Sequence, residues 1–110
     1  MQEMSVLVQQ AAAIAEDLLR EALPRRWRHV RAVGLKAEAL GVLPNVDVEI
    51  LSASAWLHDI GYSPRISDTG FHALDGARWL LREGFSMRLA SLVAHHSFGS
   101  HPTHQQPIEH

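Results

Sequence analysis

A chain of 110 residues with a formal net charge of -2, eight histidines and no cysteine has room for one hydrophobic core. Its 46% hydrophobic and 20% charged residues are ordinary globular usage. The missing thiols exclude cysteine nucleophiles, thiolate metal sites and a disulfide framework, and they suit a reducing, cytoplasmic setting, while the charge balance argues against general nucleic-acid binding.

Met4 to Leu23 places Leu7, Ala11, Ile14, Leu18 and Leu19 at helical spacing among good helix formers, which predicts a first helix. Pro24 stops it and suits the start of the next, predicted from Arg25 to Leu40 with Trp27, Val30, Gly34 and Ala37 on one stripe and Gly41 at its end. A third helix, capped by Asn45 or Asp47, carries Val46, Ile50, Ala53, Trp56 and Leu57 and closes at Gly61, with His58 and Asp59 on its last turn. Tyr62 to Thr69 reads as a loop. A fourth helix follows from Phe71 to Arg82, with Leu74, Ala77 and Leu81 facing inward and Gly84 ending it. The fifth starts near Ser86 and carries Leu89, Leu92 and Val93 to His96. The alternation Val46, Val48, Ile50 is too short to compete as a strand.

The expected fold is therefore all-α: one bundle of about five helices over residues 1–98, with an irregular tail over 99–110. No apolar run approaches the roughly 20 residues that span a bilayer, and no basic segment precedes the first apolar stretch, so neither a membrane span nor a secretory signal is expected. The apolar first helix has two uses, completing the core or joining copies of the chain into a homo-oligomer.

Six side chains stand out against this apolar pattern: His29, the doublet His58-Asp59, His72 and the doublet His95-His96. One histidine on an apolar helix face is more often a packed, hydrogen-bonded residue than a ligand. Four helices each bringing imidazole to an end or a mid-face is different, because helical bundles build metal sites in this way and burying so many rings without a shared partner is costly. Imidazole and carboxylate without thiolate favour a divalent transition ion over calcium or magnesium. Arg25, Arg26, Arg28, Arg31 and Lys36 lie close to His29; the bland reading is a solvated helix face, the functional one a grip on phosphate oxygens. Trp27, Trp56 and Trp79 read most simply as packing residues, and His101, His104 and His110 as solvated.

His29 followed by Trp56-Leu-His-Asp-Ile-Gly-Tyr62 resembles the HD superfamily of metal-dependent phosphohydrolases, over about residues 25 to 98. His72, in Gly70-Phe-His-Ala-Leu-Asp-Gly-Ala77, and His95-His96 are similar to the extra histidines of subgroups with two metal ions, among them symmetrical diadenosine tetraphosphate hydrolases and cyclic-dinucleotide phosphodiesterases. The resemblance implies that His29, His58 and Asp59 bind a first ion, with Asp59 able to bridge to a second held by His72 and one or both of His95 and His96. The ions would be one or two divalent transition metals such as iron or manganese. His58 and Asp59 then carry catalysis, in which metal-activated water attacks a phosphoester or phosphoanhydride of a nucleotide-like substrate. Arg25, Arg28 and Arg65 are the candidate phosphate contacts. Asp68 or Asp75 would orient water, or Asp75 would fix the His72 tautomer from one turn away. The family also uses a distal aspartate, yet after His96 the only acid is Glu109. That leaves a chain stopping before a last helix, an incomplete site, or water in that position. The second hypothesis is accordingly a catalytically impaired domain that binds metal and nucleotide as a sensor.

Overall fold

The structure, a computed structural model, describes residues 5–39 and 48–95. In chain order these form α1 (Val6–Leu19), α2 (Pro24–Ala39), α3 (Val48–Leu57), a short 3-10 helix (Ile60–Tyr62), α4 (His72–Arg82) and α5 (Met87–His95). There is no strand among the described residues, and the all-α expectation of five helices holds. The expected caps Asn45 and Asp47, the expected stop at Gly41, His96 and the tail lie outside the described residues.

Side-chain chemistry sets several boundaries. Ser5 Oγ accepts a hydrogen bond from the Val8 amide at 3.1 Å, so α1 starts just after this cap. Ser86 Oγ accepts from Leu89 N at 3.1 Å and opens α5 in the same way. At the end of α4 the chain turns left-handed at Gly84 (φ 95°), where the Phe85 amide reaches back to the Leu80 carbonyl.

The core is built around α3. Every residue from Ser52 to Gly61 is buried, so this segment has no solvent face. α1, α2 and α5 all pack on it. Val8, Ala11, Ala15, Leu18 and Leu19 of α1 are buried within the chain itself, so its apolar face completes the core. α2 approaches where Gly34 lies flat on the Trp56 indole, a place with no room for a methyl group. Trp56 Nε1 donates to Glu38 Oε2 at 2.7 Å, which ties the same two helices by a hydrogen bond. Trp56 is buried while Trp27 and Trp79 pack half-buried on the core, as the packing reading had it.

α4 is rotated relative to the expectation. Leu74 and Leu81, expected to face inward, are 41% and 40% exposed, and the buried side is Asp75, Gly76, Ala77 and Leu80. The cause is a backbone-to-backbone approach. A Cβ on Gly76 would stand 3.3 Å from the Gly61 amide, and one on Gly61 would collide with the His72 carbonyl. The smallest face of α4 therefore meets the 3-10 turn, and the leucines swing out.

Candidate metal centre

His58 and Asp59 lie in the turn between α3 and the 3-10 helix, one step later than the sequence pattern suggests. Asp59 has φ -110° and ψ 9°, which takes the chain out of the helix. Neighbouring helical side chains diverge by about 100°. Leaving the helix lets these two point into the same space: His58 Nε2 is 3.4 Å from Asp59 Oδ2, with both residues buried. His58 Nδ1 lies 2.6 Å from the Ala55 carbonyl oxygen. A carbonyl only accepts, so Nδ1 carries the proton, and Nε2 is the nitrogen suited to a metal.

The contact of Gly61 with the start of α4 supplies the next residue. It places His72 Nε2 at 3.9 Å from Asp59 Oδ1, on the opposite oxygen from His58. Across the turn, His29 of α2 presents its ring edge to His58, with centroids 5.9 Å apart and planes at 68°. One donor atom from each of His29, His58 and Asp59 lies within 4.8 Å of the others. Donors around a single ion at about 2.1 Å stand within about 4.2 Å of one another, so this set fits a divalent ion after a small closure.

Two residues that the sequence reading did not place in the site complete it. Arg26, one turn before His29, donates from a guanidinium nitrogen to Asp59 Oδ2 at 3.1 Å, and its Cζ lies 3.5 Å over the Tyr62 ring. The other face of Tyr62 stacks on His72, with centroids 3.9 Å apart and planes at 16°. Burial pushes the His72 pKa down, Arg26 and His58 push the same way, and together they outweigh Asp59 and Asp75, so the ring is neutral at neutral pH. Burial also raises the Tyr62 phenol above its ordinary value. The i, i+3 spacing of Arg26 and His29 on α2 was the available signal for Arg26.

The other predicted residues fall in different places. Arg25 lines an open groove of about 660 Å³ with Ala22, Leu23, Pro24, Arg26 and His29, directly beside the centre. Arg28 is exposed on α2. Arg65 is held away by α1, donating to the Asp17 carbonyl and to Asp17 Oδ2, each at 3.1 Å. His95 ends α5 exposed and does not join the close donor group, and His96 lies outside the described residues. Asp75 does not hydrogen-bond the His72 ring: its buried carboxylate accepts from the Asp68 and Thr69 amides and the Thr69 hydroxyl at 2.9–3.0 Å. Burial alone would raise its pKa, but these bonds and one from the Gly70 amide hold it below the ordinary aspartate value. Asp75 thus anchors the loop leading into α4. Asp68 is exposed and contributes its amide to that anchor.

A model of the HD domain family matches residues 26–109. The chain is 40% identical over 68 residues to a tRNA (cytidine(56)-2'-O)-methyltransferase of Thermoplasma volcanium, a stretch covering 62% of this chain and 20% of that protein. The chain therefore spans about a fifth of that relative's length. No solved structure matches. α1 precedes the family match, yet it is buried in the same core.

Proposed function

The chain belongs to the HD domain family, whose members bind divalent metals and are generally hydrolases, and from that premise we propose that it is a metal-dependent phosphohydrolase acting on a nucleotide-like phosphoester or phosphoanhydride. The observation that carries this reading is the convergence of His29, His58 and Asp59 within 4.8 Å, beside an open groove. His29, His58 and Asp59 would hold a divalent ion such as iron or manganese, which would supply activation of water and neutralisation of phosphoryl charge. The protein's own residues do the rest. The Ala55 carbonyl fixes the His58 tautomer, and Arg26 holds one oxygen of Asp59 while the other faces His72. Arg25 and Arg26 put positive charge on the wall of the groove, the side from which a phosphate group approaches His29. Arg28, exposed on the same helix, extends that positive face.

The test is hydrolysis of mononucleotides and dinucleotides by chelated protein reloaded with manganese or iron, read as released phosphate for the first and as product nucleotides for the second, and compared with Asp59→Asn. The wild type should turn over. The variant should bind metal more than about 100-fold more weakly, since it loses a ligand charge rather than an outer partner. A folded, metal-replete wild type that hydrolyses none of these substrates removes the enzyme reading.

One observation favours a second reading. The 40% identical segment belongs to a longer protein named for methyl transfer to a tRNA cytidine, with no hydrolysis in its name. A domain of this kind serving as a metal- and nucleotide-binding regulatory module would give calorimetric nucleotide binding in the presence of metal without hydrolysis of the nucleotide.

A further inference from the structure

The geometry points to Tyr62 as the positioning residue of this centre: its ring, clamped between Arg26 and His72, orients the partners of both Asp59 oxygens at once. The inference rests on the metal-centre reading above. The clamp is continuous. Arg26 Cζ is 3.5 Å from one face of the ring, and His72 is stacked on the other with centroids 3.9 Å apart. From those positions Arg26 reaches Asp59 Oδ2 at 3.1 Å, and His72 Nε2 faces Asp59 Oδ1 at 3.9 Å. The Tyr62 amide in turn donates to the Asp59 carbonyl at 3.1 Å, so the ring is referenced to the aspartate through the tight 3-10 turn.

Two other roles for this aromatic fit the structure less well. A ring that stacks a substrate base needs a free face, and both faces of Tyr62 are covered. A core residue would be buried, whereas Tyr62 is 37% exposed. Its hydroxyl makes no hydrogen bond among the described residues, so the role lies in the ring, and phenylalanine should replace it. Arginine on an aromatic face and imidazole stacked on the opposite face are each attracted to the ring. The attraction selects one rotamer of two half-exposed side chains.

The experiment uses chelated protein first. In its NMR spectrum the carbon-bound ring protons of His72 should lie upfield of an ordinary histidine, because they sit over an aromatic ring. Tyr62→Phe should keep that shift, and Tyr62→Leu should abolish it while circular dichroism stays helical. Manganese titration should then show about a tenfold or greater loss of affinity for Tyr62→Leu and none for Tyr62→Phe. Wild-type affinity in a folded Tyr62→Leu, or a failure of Tyr62→Phe to rescue, overturns the inference. Should Tyr62→Leu not fold, the wild-type spectrum decides: unshifted His72 protons mean that the stack does not form. The ring shift is read without metal or turnover, so loss of the hydrolase reading leaves it intact, and loss of the shift leaves hydrolysis to be judged by its own assay.

Discussion

The two sides of the candidate metal centre are built differently. His58 and Asp59 lie in a turn that is buried on all sides, with His58 tied to the Ala55 carbonyl and the turn pressed onto α4 through Gly61. His29, Arg25 and Arg26 lie on the outer side of α2, exposed or half-exposed beside an open groove. One side holds its donors through backbone contacts that have no freedom to adjust. The other presents side chains on a surface helix, where Arg26 is held by Asp59 and Tyr62 while His29 and Arg25 face the open groove. A site that must keep a ligand geometry and still admit substrate is expected to divide in this way, and the division can be tested by substituting each side in turn.

The largest effect is expected on the buried side. Gly61→Ala places a methyl against the His72 carbonyl and the Gly76 amide, both backbone groups that a rotamer change cannot clear. The cost should be about 3 kcal/mol, at the upper end for overpacking, read as a lower urea midpoint with an unchanged slope. Metal affinity should fall with it, because the same contact places His72 beside Asp59. A variant as stable as the wild type would mean that the turn is not pressed onto α4.

An intermediate effect is expected at Asp75, which holds the loop entering α4. Asparagine there turns an amide donor toward backbone N–H groups, and the loss of charge-assisted hydrogen bonds should cost about 2 kcal/mol near neutral pH. The pH dependence has a definite sign. The folded pKa lies below the ordinary aspartate value, so the unfolded chain binds the proton more readily. This contribution is fully present above the ordinary value near 4 and is lost as pH falls from there toward the folded pKa. Urea melts of wild type and Asp75→Asn at pH 6 and pH 3 should therefore differ clearly at the first and by less at the second. A gap that stays constant would show that the carboxylate charge is not what anchors the loop.

The same division separates what was legible in the sequence from what was not. Helices α1, α2 and α3 follow from apolar periodicity, and the grouping of His29, His58 and Asp59 from the resemblance of their motif to the HD family, because both signals are local or motif-like. The rotation of α4 was hidden, since it depends on two glycines fifteen residues apart meeting backbone to backbone, and periodicity favoured Leu74 and Leu81 instead. Arg65 was unreadable for a similar reason: its partner, Asp17, is 48 residues away on α1. Arg26 was within reach, because it shares a helix face with His29. It was lost among five neighbouring cations whose individual roles only the fold distinguishes. His95 sits on the expected helix and lies outside the close group of His29, His58 and Asp59, as does His72, with which the resemblance paired it.

The smallest effect on stability is expected on the open side, and it is the one that isolates metal binding from folding. His29 is exposed, so His29→Ala removes no core contact and should change the unfolding free energy by no more than about 0.5 kcal/mol. It nevertheless takes one of three donors from the group within 4.8 Å. Manganese affinity should drop at least as far as for loss of an outer partner, about 10- to 100-fold. The stabilisation that saturating metal gives the wild type should shrink with it, by about 1.4 kcal/mol for each tenfold loss. Thermal melts with and without manganese on both proteins read this directly. Equal metal-induced shifts would place the ion away from α2, and a large loss of metal-free stability would mean that His29 belongs to the buried framework and that the two sides are not distinct.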